Sequence, residues 1–187
     1  ASDVYKRQGK GYRDEILVGA AGGTEMWRID DTLSKEQLTD TKSAQIVKQR
    51  DQETKLIDRV GDTVVYMQYP NSVAVRIKDI EAGTYDAFGL GAKDKRSLMR
   101  PVDSEVIDNE RIAIASTPNY GEYTGSITIY NAKNHEVEKH YWSDGLIPAS
   151  LAYDGKGHLY VGTSVRGEHA DLASRPEKTA SVLKINM

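Results

Sequence analysis

Two stretches gather the side chains that do chemistry. Ser164 to Lys178 reads SVRGEHADLASRPEK and carries Arg166, Glu168, His169, Asp171 and Arg175, the densest set of ionisable groups in the sequence. An imidazole beside carboxylates supplies a general base near neutral pH, and a guanidinium clamps a carboxylate through two parallel hydrogen bonds. Thr117 to Thr124 reads TPNYGEYT and carries Tyr120, Glu122 and Tyr123. Phenol rings stack on a sugar ring while a carboxylate accepts its hydroxyl protons. The same residues also compose an ordinary solvated surface loop. The spacing of Glu168, His169 and Asp171 follows no metal-ligand pattern, so neither a metal nor a cofactor is expected. Of the four histidines, His135 sits in a turn, His140 in an outer strand and His158 at a strand start, which leaves His169 as the one in a candidate stretch. Gly19-Ala20-Ala21-Gly22-Gly23 leads into another strand and not into a helix, so it is a turn and no phosphate cradle.

What must position these stretches is a unit repeated four times. Its closing strand recurs as Met26-Trp27-Arg28-Ile29-Asp30, Val75-Arg76-Ile77-Lys78-Asp79, Ile127-Thr128-Ile129-Tyr130-Asn131 and Leu183-Lys184-Ile185-Asn186. The last residues of these strands lie 49, 52 and 55 positions apart. A second anchor, an apolar pair followed by Asp at a hairpin turn, stands at Leu56-Ile57-Asp58, Val106-Ile107-Asp108 and Ala152-Tyr153-Asp154. A period near 50 residues with several short strands per unit predicts four-stranded propeller blades. The expected class is all-β, a partial β-propeller of about four blades, with blades at about 9–50, 51–100, 101–145 and 146–187. Four units read as part of a six- to eight-bladed ring. In the third blade, Ile127 and Ile129 alternate with Thr128 and Tyr130, which predicts one packed and one wet face.

Both ends read as those of a fragment. Asp3-Val4-Tyr5-Lys6-Arg7-Gln8 resembles the translation of a sequencing adapter, so residues 1–8 are set aside as a non-native leader. Gly9-Lys10-Gly11 corresponds to Gly155-Lys156-Gly157 and is expected in the turn between first and second strands, and Met187 follows a third strand directly.

Composition removes several classes of function. There are 25 Lys and Arg against 28 Asp and Glu, interspersed, for a net charge of −3. That balance lacks the electrostatic footprint of a nucleic-acid binder, and the cluster Lys93 to Arg100 reads as a solvated loop. No apolar run approaches the length of a membrane span. With no cysteine, disulfides, thiolate metal sites and a cysteine nucleophile are excluded from the sequence.

The pattern YDGKGHLYVGTS followed by SVLKIN resembles the bacterial propeller repeats of the SMP-30/NHL-like and quinoprotein-like families. The Gly-His and Trp-Asp pairs that mark WD40 blades are absent. The resemblance implies that loops joining second to third strands, and outer strands to the next blade, share one face around a channel mouth. Those loops are Ala21 to Gly23, Tyr69 to Asn71, Thr117 to Thr124, Ser164 to Lys178, Arg50 to Thr54, Pro101 to Asp103 and Ser143 to Pro148. The expected function is a ligand-binding face of a larger, exported bacterial protein, extracellular or periplasmic, offering Tyr120, Glu122, Tyr123, Arg166, Glu168, His169, Asp171 and Arg175 to a glycan, peptide or small molecule. The rival expectations are part of a propeller enzyme, a polysaccharide lyase or lactonase with His169, Tyr123 and Arg166 as base, acid and clamp, and a structural spacer. The sequence assigns no oligomeric state.

Overall fold

The computed structural model describes residues 8–12, 15–19, 26–30, 45–47, 52–79, 82, 84–90, 98–143, 145–166 and 179–187, with side chains described from residue 52 onward. Every regular element among them is a strand, and the strands form four antiparallel sheets in chain order. The first sheet holds β1 (Gln8–Tyr12), β2 (Glu15–Gly19), β3 (Met26–Asp30) and β4 (Gln45–Val47). The second holds β5 (Glu53–Val60), β6 (Thr63–Tyr69), β7 (Val73–Asp79) and β8 (Thr84–Gly89). The third holds β9 (Leu98–Val106), β10 (Arg111–Pro118), β11 (Ser126–Asn131) and β12 (Glu136–Trp142). The fourth holds β13 (Ile147–Tyr153), β14 (His158–Ser164) and β15 (Val182–Asn186). Each sheet is a meander in which neighbours in sequence are neighbours in space.

The third strands end at Asp30, Asp79, Asn131 and Asn186, the four positions from which the period was read. The second anchor is only partly a structural repeat. Asp108 and Asp154 cap hairpin turns, accepting the N–H groups of Glu110 and Arg111 and of Lys156 and His158. Asp58 instead lies inside β5 opposite Val65, and the turn follows at Gly61 and Asp62 because Val60 pairs with Thr63. Gly61 takes φ 58°, and a Cβ there would sit 2.5 Å from the Asn109 carbonyl oxygen, so the turn demands glycine twice over. Gly9 to Gly11 are also corrected. They are strand residues of β1, with Gly9 opposite Val18 and Gly11 opposite Ile16, in a ladder that runs on to the pair Tyr12–Glu15.

Successive sheets meet along their innermost strands: β5 lies against β1 and β2, β9 against β5 and β6, and β13 against β9 and β10. These strands do not share a backbone ladder. Side chains bridge them instead. The Leu151 N–H donates to Asp103 Oδ2 at 2.7 Å, the Tyr153 N–H to Glu105 Oε1 at 3.4 Å, and the Ser104 hydroxyl to Asp58 Oδ2. Pro101 to Asp103, expected as a loop, therefore belong to β9, where Asp103 is needed to satisfy a backbone donor of the next sheet.

The core forms layers between sheets, not one mass. Leu56, Val65, Met67, Ala74, Leu98, Ile112, Ile114, Tyr130 and Val137 fill the gap between second and third sheets. Ala113, Ala115, Ile127, Ile129, Leu151, Leu159 and Val161 fill the gap between third and fourth. Thr128 and Tyr130, expected on a wet face, are fully buried. A sheet held between two others has no wet face, so alternation there sorts residues between two interfaces. Fully burying one such apolar side chain contributes about 1.5–3 kcal/mol.

Candidate functional site

The second-to-third links of the two central sheets meet at one end of their junction. β6 ends in Tyr69, and a four-residue link Tyr69-Pro70-Asn71-Ser72 returns the chain to β7. Asn71 and Ser72 both take positive φ, 78° and 41°, a conformation that costs non-glycine residues and is held by its surroundings. The Ser72 N–H donates to the Met99 carbonyl, and the Leu90 N–H donates to the Ser72 carbonyl. From the third sheet, Asn119 organises the facing loop, its Oδ1 accepting the Tyr120 N–H at 2.9 Å and its carbonyl accepting the Glu122 N–H at 3.1 Å. Gly121, at φ 79°, lets the loop turn back.

This geometry brings two phenols together. The hydroxyls of Tyr69 and Tyr120 lie 2.9 Å apart and bridge the two sheets. The Arg100 guanidinium lies 4.9 Å from the Tyr69 ring centre and the Lys55 ammonium 5.5 Å from it, both within cation–π range. Lys55 is paired with Glu53. Tyr120 is 46 % exposed, so its ring is offered to solvent while its hydroxyl is fixed. On the same strands and link, the Gln68 amide oxygen and the Ser72 and Ser116 hydroxyls are buried without a hydrogen-bond partner. The arrangement presents an aromatic surface with cationic edges.

The residues singled out from sequence divide into three groups. Tyr120 is in the cluster, with exposed Glu122 and half-buried Tyr123 on the same loop. Arg166 lies two residues beyond the end of β14, exposed, its N–H donated to Ser164 Oγ at 3.0 Å. Glu168, His169, Asp171 and Arg175 lie outside the described residues. Tyr69, Arg100 and Lys55 were not singled out. A tyrosine in the second-to-third link of both central units was the available signal, whereas Arg100 was absorbed into a run read as a solvated loop.

The remaining histidines serve the framework. His140 Nδ1 lies 3.2 Å from Ser126 Oγ and 3.0 Å from Thr128 Oγ1, and its ring stacks on Trp142 at 5.2 Å. His158 Nδ1 is 2.7 Å from Asp154 Oδ2. The Asp154 carboxyl is held down at about 2, chiefly by the N–H of His158.

No family model matches the sequence, and no curated protein matches it. Solved structures do match. The N-terminal domain of Nup159 superposes with a TM-score of 0.55 at 11% identity, over 96% of this chain and 44% of that one. The fold is a β-propeller. A chain of the S. cerevisiae assembly in which Dbp5 is bound to Nup159, Gle1, IP6 and ADP matches with a TM-score of 0.54 at 11% identity, over 95% of this chain and 42% of that one. The Myceliophteria thermophila Cps50 (Swd1) β-propeller domain matches with a TM-score of 0.51 at 9% identity, over 80% of this chain and 46% of that one. This propeller chain thus spans less than half the length of the structures it matches. Among the described residues, no helix is long and apolar enough to cross a membrane.

Proposed function

We propose that this propeller region is a binding module that holds a segment of a partner protein on the face carrying the second-to-third links, with Tyr120 as the exposed contact and Tyr69, Arg100 and Lys55 as its support. One observation carries the reading: an exposed tyrosine whose hydroxyl is locked to a second tyrosine across two sheets, with an arginine stacked behind. Tyrosine and arginine are the residues that dominate protein interfaces, because a rigid ring contributes a large contact area at low entropic cost. The structural neighbours lend support of a general kind, since one of them belongs to an assembly in which Nup159 is bound by Dbp5. Membership of an exported bacterial protein with SMP-30/NHL-like or quinoprotein-like repeats is part of the same proposal and rests on the sequence pattern alone.

The test is a peptide library and a glycan array, each screened with the wild-type chain and with Tyr120→Ala. A set of peptides bound by the wild type and lost on Tyr120→Ala, with Lys156→Ala as a neutral control, supports the proposal. Glycans bound through Tyr120 in place of peptides replace the partner class. Binding insensitive to both Tyr120→Ala and Arg100→Ala removes this face from consideration.

A further inference from the structure

At the outer part of the junction between second and third sheets, His135 is enclosed by groups from both. Its Nδ1 is hydrogen-bonded to the Tyr130 hydroxyl from β11, and the ring also bonds the backbone of Ala87 in β8. The Tyr130 ring meets it edge-on at 5.7 Å and the Phe88 ring at 5.9 Å. The charged groups facing it are Arg76 and Lys78 from β7 and Asp86 from β8. On its own turn, Lys133 is paired with Glu110. Arg76 is itself the main cross-sheet tie: its guanidinium donates to the Ala132 carbonyl at 3.1 Å and the Lys133 carbonyl at 2.6 Å, and pairs with Asp86.

A neutral imidazole has one donor and one acceptor nitrogen. With the ring donating to Ala87, Nδ1 accepts the Tyr130 hydroxyl proton. Binding of a solvent proton at Nδ1 removes that acceptor, forces the Tyr130 hydroxyl to reverse, and sets a third cation beside Arg76 and Lys78, which already share the Asp86 carboxylate. We infer that His135 is an acid-sensitive latch of this junction: with the ring neutral the two sheets are tied, and with the ring protonated the tie is weakened.

Burial of the ring, with Arg76 second, holds its pKa below the ordinary histidine value. A folded-state pKa lowered in this way contributes stability that is present above about 6.5, the unfolded value, and is lost as pH falls through the folded value. Urea midpoints of the wild type and His135→Gln, compared at about pH 7.5 and about pH 5, read this directly. The wild-type advantage at the higher pH shrinks at the lower one, and an advantage unchanged between the two overturns the latch. The His135 ring proton signal in the wild type titrates below about 6.5, and Tyr130→Phe moves it upward by removing the donor to Nδ1. A wild-type midpoint at or above the ordinary value overturns the latch even where His135→Gln fails to fold.

Discussion

Ile114 and Ile127 lie on neighbouring strands of one sheet yet face opposite ways, Ile114 into the layer shared with the second sheet and Ile127 into the layer shared with the fourth. Both are fully buried. If the sheets follow one another about their innermost strands, Ile114→Ala and Ile127→Ala must each open a cavity, because neither neighbour collapses freely onto a sheet that is packed on its other side. Each substitution is expected to cost about 2–5 kcal/mol, the range for truncating a buried isoleucine. Val182, on the far face of the fourth sheet, is 74 % exposed, and Val182→Ala should stay within about 0.5 kcal/mol. At a urea dependence of about 2 kcal/mol per molar, a loss near 3 kcal/mol lowers the midpoint by roughly 1.5 M. Equilibrium unfolding followed by the fluorescence of Trp142, which packs on the same layer as Ile114, measures all three. A loss at one isoleucine with none at the other would refute the layered packing, since it is the signature of a sheet with a single covered face.

Other expectations follow from particular contacts. Gly125→Ala should destabilise strongly, as its Cβ would sit 2.3 Å from Pro148 Cδ and 2.8 Å from the Ser116 carbonyl oxygen, and a fall in thermal midpoint checks this. Asp103→Ala leaves the Leu151 N–H without its carboxylate and should cost about 1–3 kcal/mol in urea unfolding, with Asp103→Asn recovering part of the loss. Asp154 should titrate near 2 in the folded chain against about 3.8 unfolded, so its contribution to stability is present above the unfolded value and lost as pH falls toward 2; carboxyl chemical shifts followed down to acid pH read this, and a midpoint at the unfolded value would contradict the turn geometry. Tyr120→Ala should lower the urea midpoint by no more than the loss of one solvent-accessible hydroxyl–hydroxyl bond between the sheets, about 0.5–1.5 kcal/mol, while abolishing partner binding.

The repeat was legible because chain position and blade position coincide. A meander places each unit beside the next, so Asp30, Asp79, Asn131 and Asn186 recur at third-strand ends and the period could be counted without coordinates. The candidate face was legible only in outline. TPNYGEYT was visible as a long loop between strands, but the partner of Tyr120 is 51 residues away in another sheet, and no local pattern encodes that distance. Asp58 was misplaced for a related reason. An apolar pair before Asp looks the same at a turn and inside a strand, and the strand pairing of β5 with β6 decides between them.

The amino-acid order by itself determined the elements: strand, turn, strand, four times over at a period near 50 residues. Tertiary structure decided what each face of those strands meets. Period-two alternation says that neighbouring side chains point apart, and it is silent on whether the second direction holds water or another sheet. Thr128 and Tyr130, read as wetted, are sealed by the second sheet, and Asp103, read as loop, supplies the acceptor that joins two innermost strands. Those outcomes depend on contacts between units about 50 residues apart, which come into being only when the sheets pack.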